Sequence, residues 1–178
     1  MKLKGKKSKL GSSVAMPKKI LQNLKRVKEH KNSHPESLNH SGDFEGDLHI
    51  EYAKILLSLW SYACNVDGKL KSGESELVSE MVNVLFEPNC LLSEYKDKRK
   101  EVLQILSKTF DEPLPMKTVT KAVIDNDQYA LNFFEDAVCI VASDGTINQE
   151  EREFLDELAL ELQISLMDKH QVEKKYIS

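Results

Sequence analysis

The chain has 178 residues, of which 40% are hydrophobic and 30% charged, a balance that fits one soluble domain with a tail. Its net charge of −4 is unevenly divided: residues 1–31 contain eleven Lys and Arg and one acid, whereas the rest contains 14 basic and 28 acidic side chains. A body with a charge of −14 disfavours nucleic-acid binding outside the tail, because contact with phosphate needs basic faces. No apolar run approaches the roughly 18 residues that span a bilayer, and the lysine-rich start lacks a secretory signal, so we expect a cytoplasmic protein.

The first 46 residues are predicted to form a basic extension. Residues 1–15 are rich in Lys, Gly and Ser and are expected to be disordered. Pro17 suits a helix start, and the apolar residues around it fall on one face at spacings of four, four and three. They are Met16, Ile20, Leu24 and Val27, with Lys18, Lys19, Lys25, Arg26 and Lys28 around the rest. The aperiodic stretch KNSHPESLNHSGDFEGD then indicates a linker into the main domain.

Several uses of the basic amphipathic helix stay open. It could dock on the acidic body, contact an anionic membrane peripherally through residues 16–31, or meet nucleic acid or a protein partner, since basic amphipathic helices serve all of these. A protein partner is the main expectation for the chain as a whole.

Residues 47–178 are predicted to form one all-α domain, a compact bundle of about seven helices. Hydrophobic periodicity and the positions of proline predict helices at residues 48–66, 72–86, 93–110, 115–125, 127–143, 148–163 and 165–176. No segment has the period-two alternation or the paired turn residues that indicate strands.

An internal repeat spans about 30 residues of this domain. Tyr52, Ala53, Asp67, Gly68, Leu70, Glu74, Glu76 and Leu77 recur 77 residues later as Tyr129, Ala130, Asp144, Gly145, Ile147, Glu151, Glu153 and Phe154. Each copy is an apolar helix, a sharp turn and an amphipathic helix. We expect the two apolar helices to pack together at the centre, related by an approximate two-fold.

The two Asp-Gly turns are similar to the second half of a calcium-binding loop. With Asp67 or Asp144 at position 5 of an EF-hand, glycine falls on position 6 and Glu74 or Glu151 on position 12. Each loop lacks one or both of the leading ligands at positions 1 and 3, so a lone loop is expected to bind calcium poorly.

An architectural interpretation explains the same residues. Glycine after aspartate allows a left-handed bend that ends one helix, Asn148 can cap the next, and Glu151 completes a capping box. The first turn differs, because Lys71 stands in the place of Asn148, cannot accept an amide hydrogen and adds a positive charge. Both interpretations stay open on the sequence alone.

The elements NVDGKLKSGE and ASDGTINQEE, each between an apolar and an amphipathic helix, resemble the tellurite-resistance TerB-like family. That family includes a domain of certain DnaJ-like membrane co-chaperones, and the resemblance covers about residues 47–163. It implies a non-enzymatic helical domain of stress, tellurite or metal-ion resistance, with a divalent metal held by the paired acidic turns. The matching positions are Asp67, Glu74, Asp144 and Glu151.

Two functional hypotheses follow. In the first, the four carboxylates jointly hold calcium, magnesium or manganese, because oxygen ligands suit these ions better than zinc. In the second, the chain is a scaffold or interaction module anchored by its basic tail to a membrane surface or a protein partner, without metal.

The sequence gives catalysis little support. It contains no nucleophile elbow, no glycine-rich phosphate loop and no two-histidine zinc helix. Cys64, Cys90 and Cys139 have no metal or redox spacing and are expected to be reduced, buried thiols. His34, His40 and His49 are expected to be solvated residues in or beside the linker. Core positions rather than a stacking surface are expected for three aromatic residues, Trp60, Phe133 and Phe134.

Overall fold

The computed structural model describes residue 44 and residues 46–69, 71–125 and 129–177. Over these ranges the fold is all-α, with seven α-helices, two short 3₁₀ segments and no strand. The α-helices are α1 (Leu48–Cys64), α2 (Ser72–Leu85), α3 (Arg99–Asp111), α4 (Met116–Ile124), α5 (Ala130–Val141), α6 (Gln149–Glu161) and α7 (Leu166–Tyr176). The 3₁₀ segments, η1 and η2, are Ser93–Lys98 and Ala142–Asp144. The predicted fold class is therefore confirmed.

Helices α1 and α5 form the centre of the bundle, as their apolar composition predicts. The Trp60 indole of α1 donates a hydrogen bond to Asp136 Oδ2 of α5 over 3.2 Å. The ring of Tyr52 packs edge-on against Phe133, with 5.7 Å between ring centroids. Trp60, Phe133 and Phe134 are buried, which confirms that they belong to the core.

The prediction of one helix over residues 93–110 is wrong. Residues 93–98 form a 3₁₀ segment, and Tyr95 has φ −99° and ψ 20°, outside the helical range, so α3 begins only at Arg99. The reason is tertiary, because the Tyr95 hydroxyl donates to Asp47 Oδ2, the N-cap residue of α1. Ring packing of Phe44 on Tyr95, with centroids 6.1 Å apart, reinforces this position.

His49 also departs from its prediction as a solvated linker residue. It lies in the first turn of α1, its side chain is largely covered, and its ring centroid is 6.2 Å from that of Tyr95. The predicted disordered tail, the basic helix at residues 16–28, His34 and His40 lie outside the described residues.

Two further findings concern the described part of the chain. The three cysteines are buried, as predicted. None of the helices placed by the structure combines the length and apolar character that crossing a bilayer requires.

Candidate functional site

The first acidic turn connects α1 to α2. Gly68 adopts a left-handed backbone with φ 68°, a conformation that glycine reaches without the steric cost of a side chain. Asp67 Oδ1 accepts a hydrogen bond from the Lys69 amide over 3.0 Å. At the start of α2, Glu74 Oε2 accepts from the Lys71 amide, also over 3.0 Å. The Lys71 ammonium cannot accept a hydrogen bond from the Glu74 amide, so only half of a capping box forms.

The second acidic turn connects α5 to α6 and repeats these contacts. Gly145 has φ 81°, and Asp144 Oδ1 accepts from the Thr146 amide over 2.9 Å. Glu151 Oε2 accepts from the Asn148 amide over 2.8 Å, and Asn148 Oδ1 accepts from the Glu151 amide over 2.9 Å. The predicted capping box of Asn148 and Glu151 is therefore confirmed.

Lys71 joins the two turns. Its ammonium nitrogen lies 2.8 Å from Asp144 Oδ2 and 3.0 Å from Glu151 Oε1, both in the second turn. It also lies 3.6 Å from Asp67 Oδ2 and 3.8 Å from Glu74 Oε1 in its own turn. The four carboxylates that the sequence singled out thus converge around one point, and that point is the Lys71 ammonium.

A second contact crosses between the turns in the opposite direction. The side-chain amide of Asn148 donates to Asp67 Oδ2 over 3.4 Å. Each residue at a helix N-cap, Lys71 for α2 and Asn148 for α6, therefore reaches the aspartate of the other turn. The two N-cap side chains hold the turns against each other.

The electrostatics of this cluster follow from its uneven burial. Glu74 and Glu151 are almost fully buried, with 2% and 3% of their surface exposed, whereas Asp144 is more open. Hydrogen bonds to Asp144 and then Glu151 raise the pKa of Lys71, and the Lys71 bond lowers the pKa of Asp144. Burial raises the pKa of Glu74 above its usual value, because water no longer solvates the carboxylate.

This arrangement does not fit a resident divalent metal. Calcium binds oxygen at about 2.3–2.6 Å and magnesium at about 2.0–2.1 Å, whereas two of the four oxygens lie 3.6 and 3.8 Å from the central point. The ammonium itself occupies that point and repels a second cation. Within the ranges that the structure describes, no group of three or more His, Cys, Asp or Glu side chains is arranged to hold a metal ion.

The sequence predicted the four acidic residues as a candidate site but did not predict that Lys71 joins the two turns. The sequence did contain a signal for this role. Lys71 aligns with Asn148 of the second turn, so one positive charge stands among the acids of the two turns. Its reach into the other turn depends on how the two copies pack, which the sequence pattern does not contain.

No protein-family model matches this chain, and no match was found among curated proteins or solved structures. The TerB-like resemblance therefore depends on the two turns alone and stays a prediction.

Proposed function

We propose that this chain is a non-catalytic TerB-like binding or scaffold protein of stress or metal-ion resistance, in which Lys71 rather than a divalent metal joins the two acidic turns. The observation that carries the proposal is the position of the Lys71 ammonium, within 4 Å of a carboxylate oxygen of each of the four acids. The lysine supplies the positive charge that a metal supplies in a calcium-binding loop.

The physical need for a cation at this position is clear from the charges. Four carboxylates around one point repel one another, and the two nearly buried ones lack water to screen that repulsion. An ammonium bound within the chain offsets part of this repulsion at any ion concentration. The bundle then keeps its shape without metal, which suits a scaffold that presents its surfaces constantly.

The test is calorimetric titration of the full chain with calcium, magnesium and manganese in turn, after treatment with a chelator. We expect no binding heat up to millimolar metal and no change in the unfolding temperature, because Lys71 already occupies the centre of the cluster.

The variants Asp144→Asn and Glu151→Gln decide the origin of any heat that does appear. Heat that both substitutions abolish would assign the metal to the acidic turns and contradict the proposal. Heat that neither changes would place the ion elsewhere on the chain and leave the cluster as proposed.

The choice between a protein partner and a membrane surface rests on residues 16–31. Their basic charge is typical of segments that contact anionic lipid, each Lys or Arg near the surface contributing about 1 kcal/mol. Co-sedimentation with anionic vesicles separates the two. Equal pelleting with and without residues 1–31 excludes the membrane contact.

A further inference from the structure

An exposed apolar patch lies where α6 meets α7. Of the five large apolar side chains most exposed in the described part of the chain, three fall within residues 160–167. Leu160 is 80% exposed, Leu166 75% and Met167 68%. We call this patch, together with the exposed acidic face of α6, the α6–α7 corner.

Acidic side chains surround Leu160. On an α-helix, residues three, four and seven positions earlier share the face of a given residue, and at these positions Leu160 has acids. They are Glu157, Asp156 and Glu153, all exposed, with Glu161 beside them. Residues 149–168 contain seven acidic side chains and one arginine in all.

The first turn of α7 lies against this acidic face. The Lys169 ammonium pairs with Asp156 Oδ1 over 2.8 Å, and Leu166 precedes Lys169 by three residues, on the same side of α7. A tight turn ends α6, because the Ile164 amide donates to the Ala159 carbonyl over 2.9 Å. The exposed leucines at the end of α6 and the start of α7 flank this turn, and the acidic face of α6 lies next to Leu160.

The chain itself contains a segment with the complementary pattern. Residues 16–28 lie outside the described residues, and their sequence predicts a helix with one apolar stripe, five Lys or Arg and no acid. We propose that the α6–α7 corner is the docking surface for residues 16–28 of the same chain, with the stripe on Leu160, Leu166 and Met167 and the basic side chains facing the acids of α6.

The connecting segment is long enough for this contact. Fifteen residues separate position 28 from Phe44, where the described chain begins, and they span up to about 50 Å when extended. A domain of this size has a radius of gyration of about 14 Å, so the basic segment can reach any face. Tethering sets an effective concentration of the order of millimolar, which populates even a weak contact.

Charge favours this surface over the apolar groove between α2 and α3. A groove between α2 and α3, of about 330 Å³, is lined by Val78, Val82, Leu103 and Phe110 among others. At the edge of this groove the Arg99 guanidinium donates to Asn83 Oδ1 over 2.7 Å, and Lys100 follows Arg99 on α3. A basic helix entering this groove meets like charges, whereas the α6–α7 corner presents opposite ones. The inference does not depend on the state of the Lys71 cluster.

The experiment places a nitroxide spin label on the full chain through Gln22→Cys, opposite the predicted stripe. The native cysteines are buried, so the label attaches at the introduced one. We expect the amide signals of residues 156–167 to lose most of their intensity in a ¹⁵N spectrum at low salt. Raising the salt should restore them, since screening shortens the reach of charge from about 30 Å at 0.01 M to about 3 Å at 1 M.

Substitutions test the surface itself. Leu160→Asp and Leu166→Asp should each restore the signals, because they replace an apolar contact with a charge at a solvent-exposed site that the fold tolerates. The matched control is Leu48→Asp. Like Leu166, Leu48 is 75% exposed and is the first residue of its helix, and its substitution should leave the broadening unchanged.

Three results would overturn the docking proposal. The first is the absence of broadening at residues 156–167. The second is broadening that persists in both Leu160→Asp and Leu166→Asp. The third is broadening that also appears when an unlabelled-isotope, spin-labelled chain is mixed with a separate ¹⁵N chain. The last result would assign the surface to a second copy instead.

Discussion

Asp136 is a buried carboxylate outside the acidic turns. It is buried in the centre of the bundle, and only its Oδ2 has a partner, the Trp60 indole. Among the described residues, its Oδ1 and the buried Tyr52 hydroxyl have no hydrogen-bond partner. Burial, and then the charge of neighbouring Glu135, raises the pKa of Asp136 to about 7, although the Trp60 bond acts in the opposite direction. Folding therefore favours the protonated form of the Asp136 carboxyl.

The pH dependence of unfolding follows from this shift. The unfolded chain ionises Asp136 near its ordinary pKa of about 3.9, while the folded chain keeps the proton until about pH 7. The stability that this residue contributes is complete below pH 4 and is lost as the pH rises to 7. We expect Asp136→Asn to gain stability relative to the native chain over this window, by at most about 1.4 kcal/mol per pH unit.

Urea unfolding at pH 4, 5.5, 7 and 8.5 measures the effect. The exposed Asp125→Asn is the matched control and should show no such trend. A constant difference between Asp136→Asn and the native chain at all four pH values would contradict the assignment.

At the scale of elements, the start of α6 combines two functions in Asn148. Its Oδ1 caps the helix, and its amide nitrogen reaches Asp67 in the other turn. Asn148→Ala removes both contacts and should cost about 1 kcal/mol, the usual value of an N-cap.

Asn148→Asp separates these functions. The carboxylate still caps α6 but loses the donor and places a negative charge beside Asp67. We expect it to be less stable than the native chain at low salt and to recover as salt rises, because screening weakens that repulsion. Chemical unfolding at both salt levels checks this. A variant as stable as the native chain at low salt would show that the contact with Asp67 contributes nothing.

The elements that depend on local sequence were predictable. Asn148 and Glu151 carry their capping box in the spacing of the chain, and the glycines of both turns adopt the left-handed bend that their position demands. The break at Tyr95 was not predictable, because it depends on a hydrogen bond to Asp47, 48 residues earlier. His49 was misjudged for the same reason, since Tyr95 covers it.

Across the whole molecule, the two acidic turns connect the α1–α2 pair to the α5–α6 pair. Lys71 lies at the start of α2 and Glu151, 80 residues later, in the first turn of α6. The repeat predicted that the carboxylates occupy matching places, but their distance apart is set by the packing of α1 on α5. Only the folded arrangement brings the lysine of one turn among the acids of the other.

We infer that Lys71 is the internal cation of the acidic cluster, and a double-mutant cycle with Glu151 tests this role. The free energy of unfolding is measured for the native chain, Lys71→Met, Glu151→Gln and the double variant. We expect a coupling of about 1–3 kcal/mol, the upper range for residues in direct contact, since Glu151 is nearly buried. The same cycle with Lys69→Met, an exposed lysine of the same turn, should give additive effects. A Lys71–Glu151 coupling below about 0.3 kcal/mol, within the scatter of independent sites, would show that Lys71 does not stabilise the acidic cluster through Glu151.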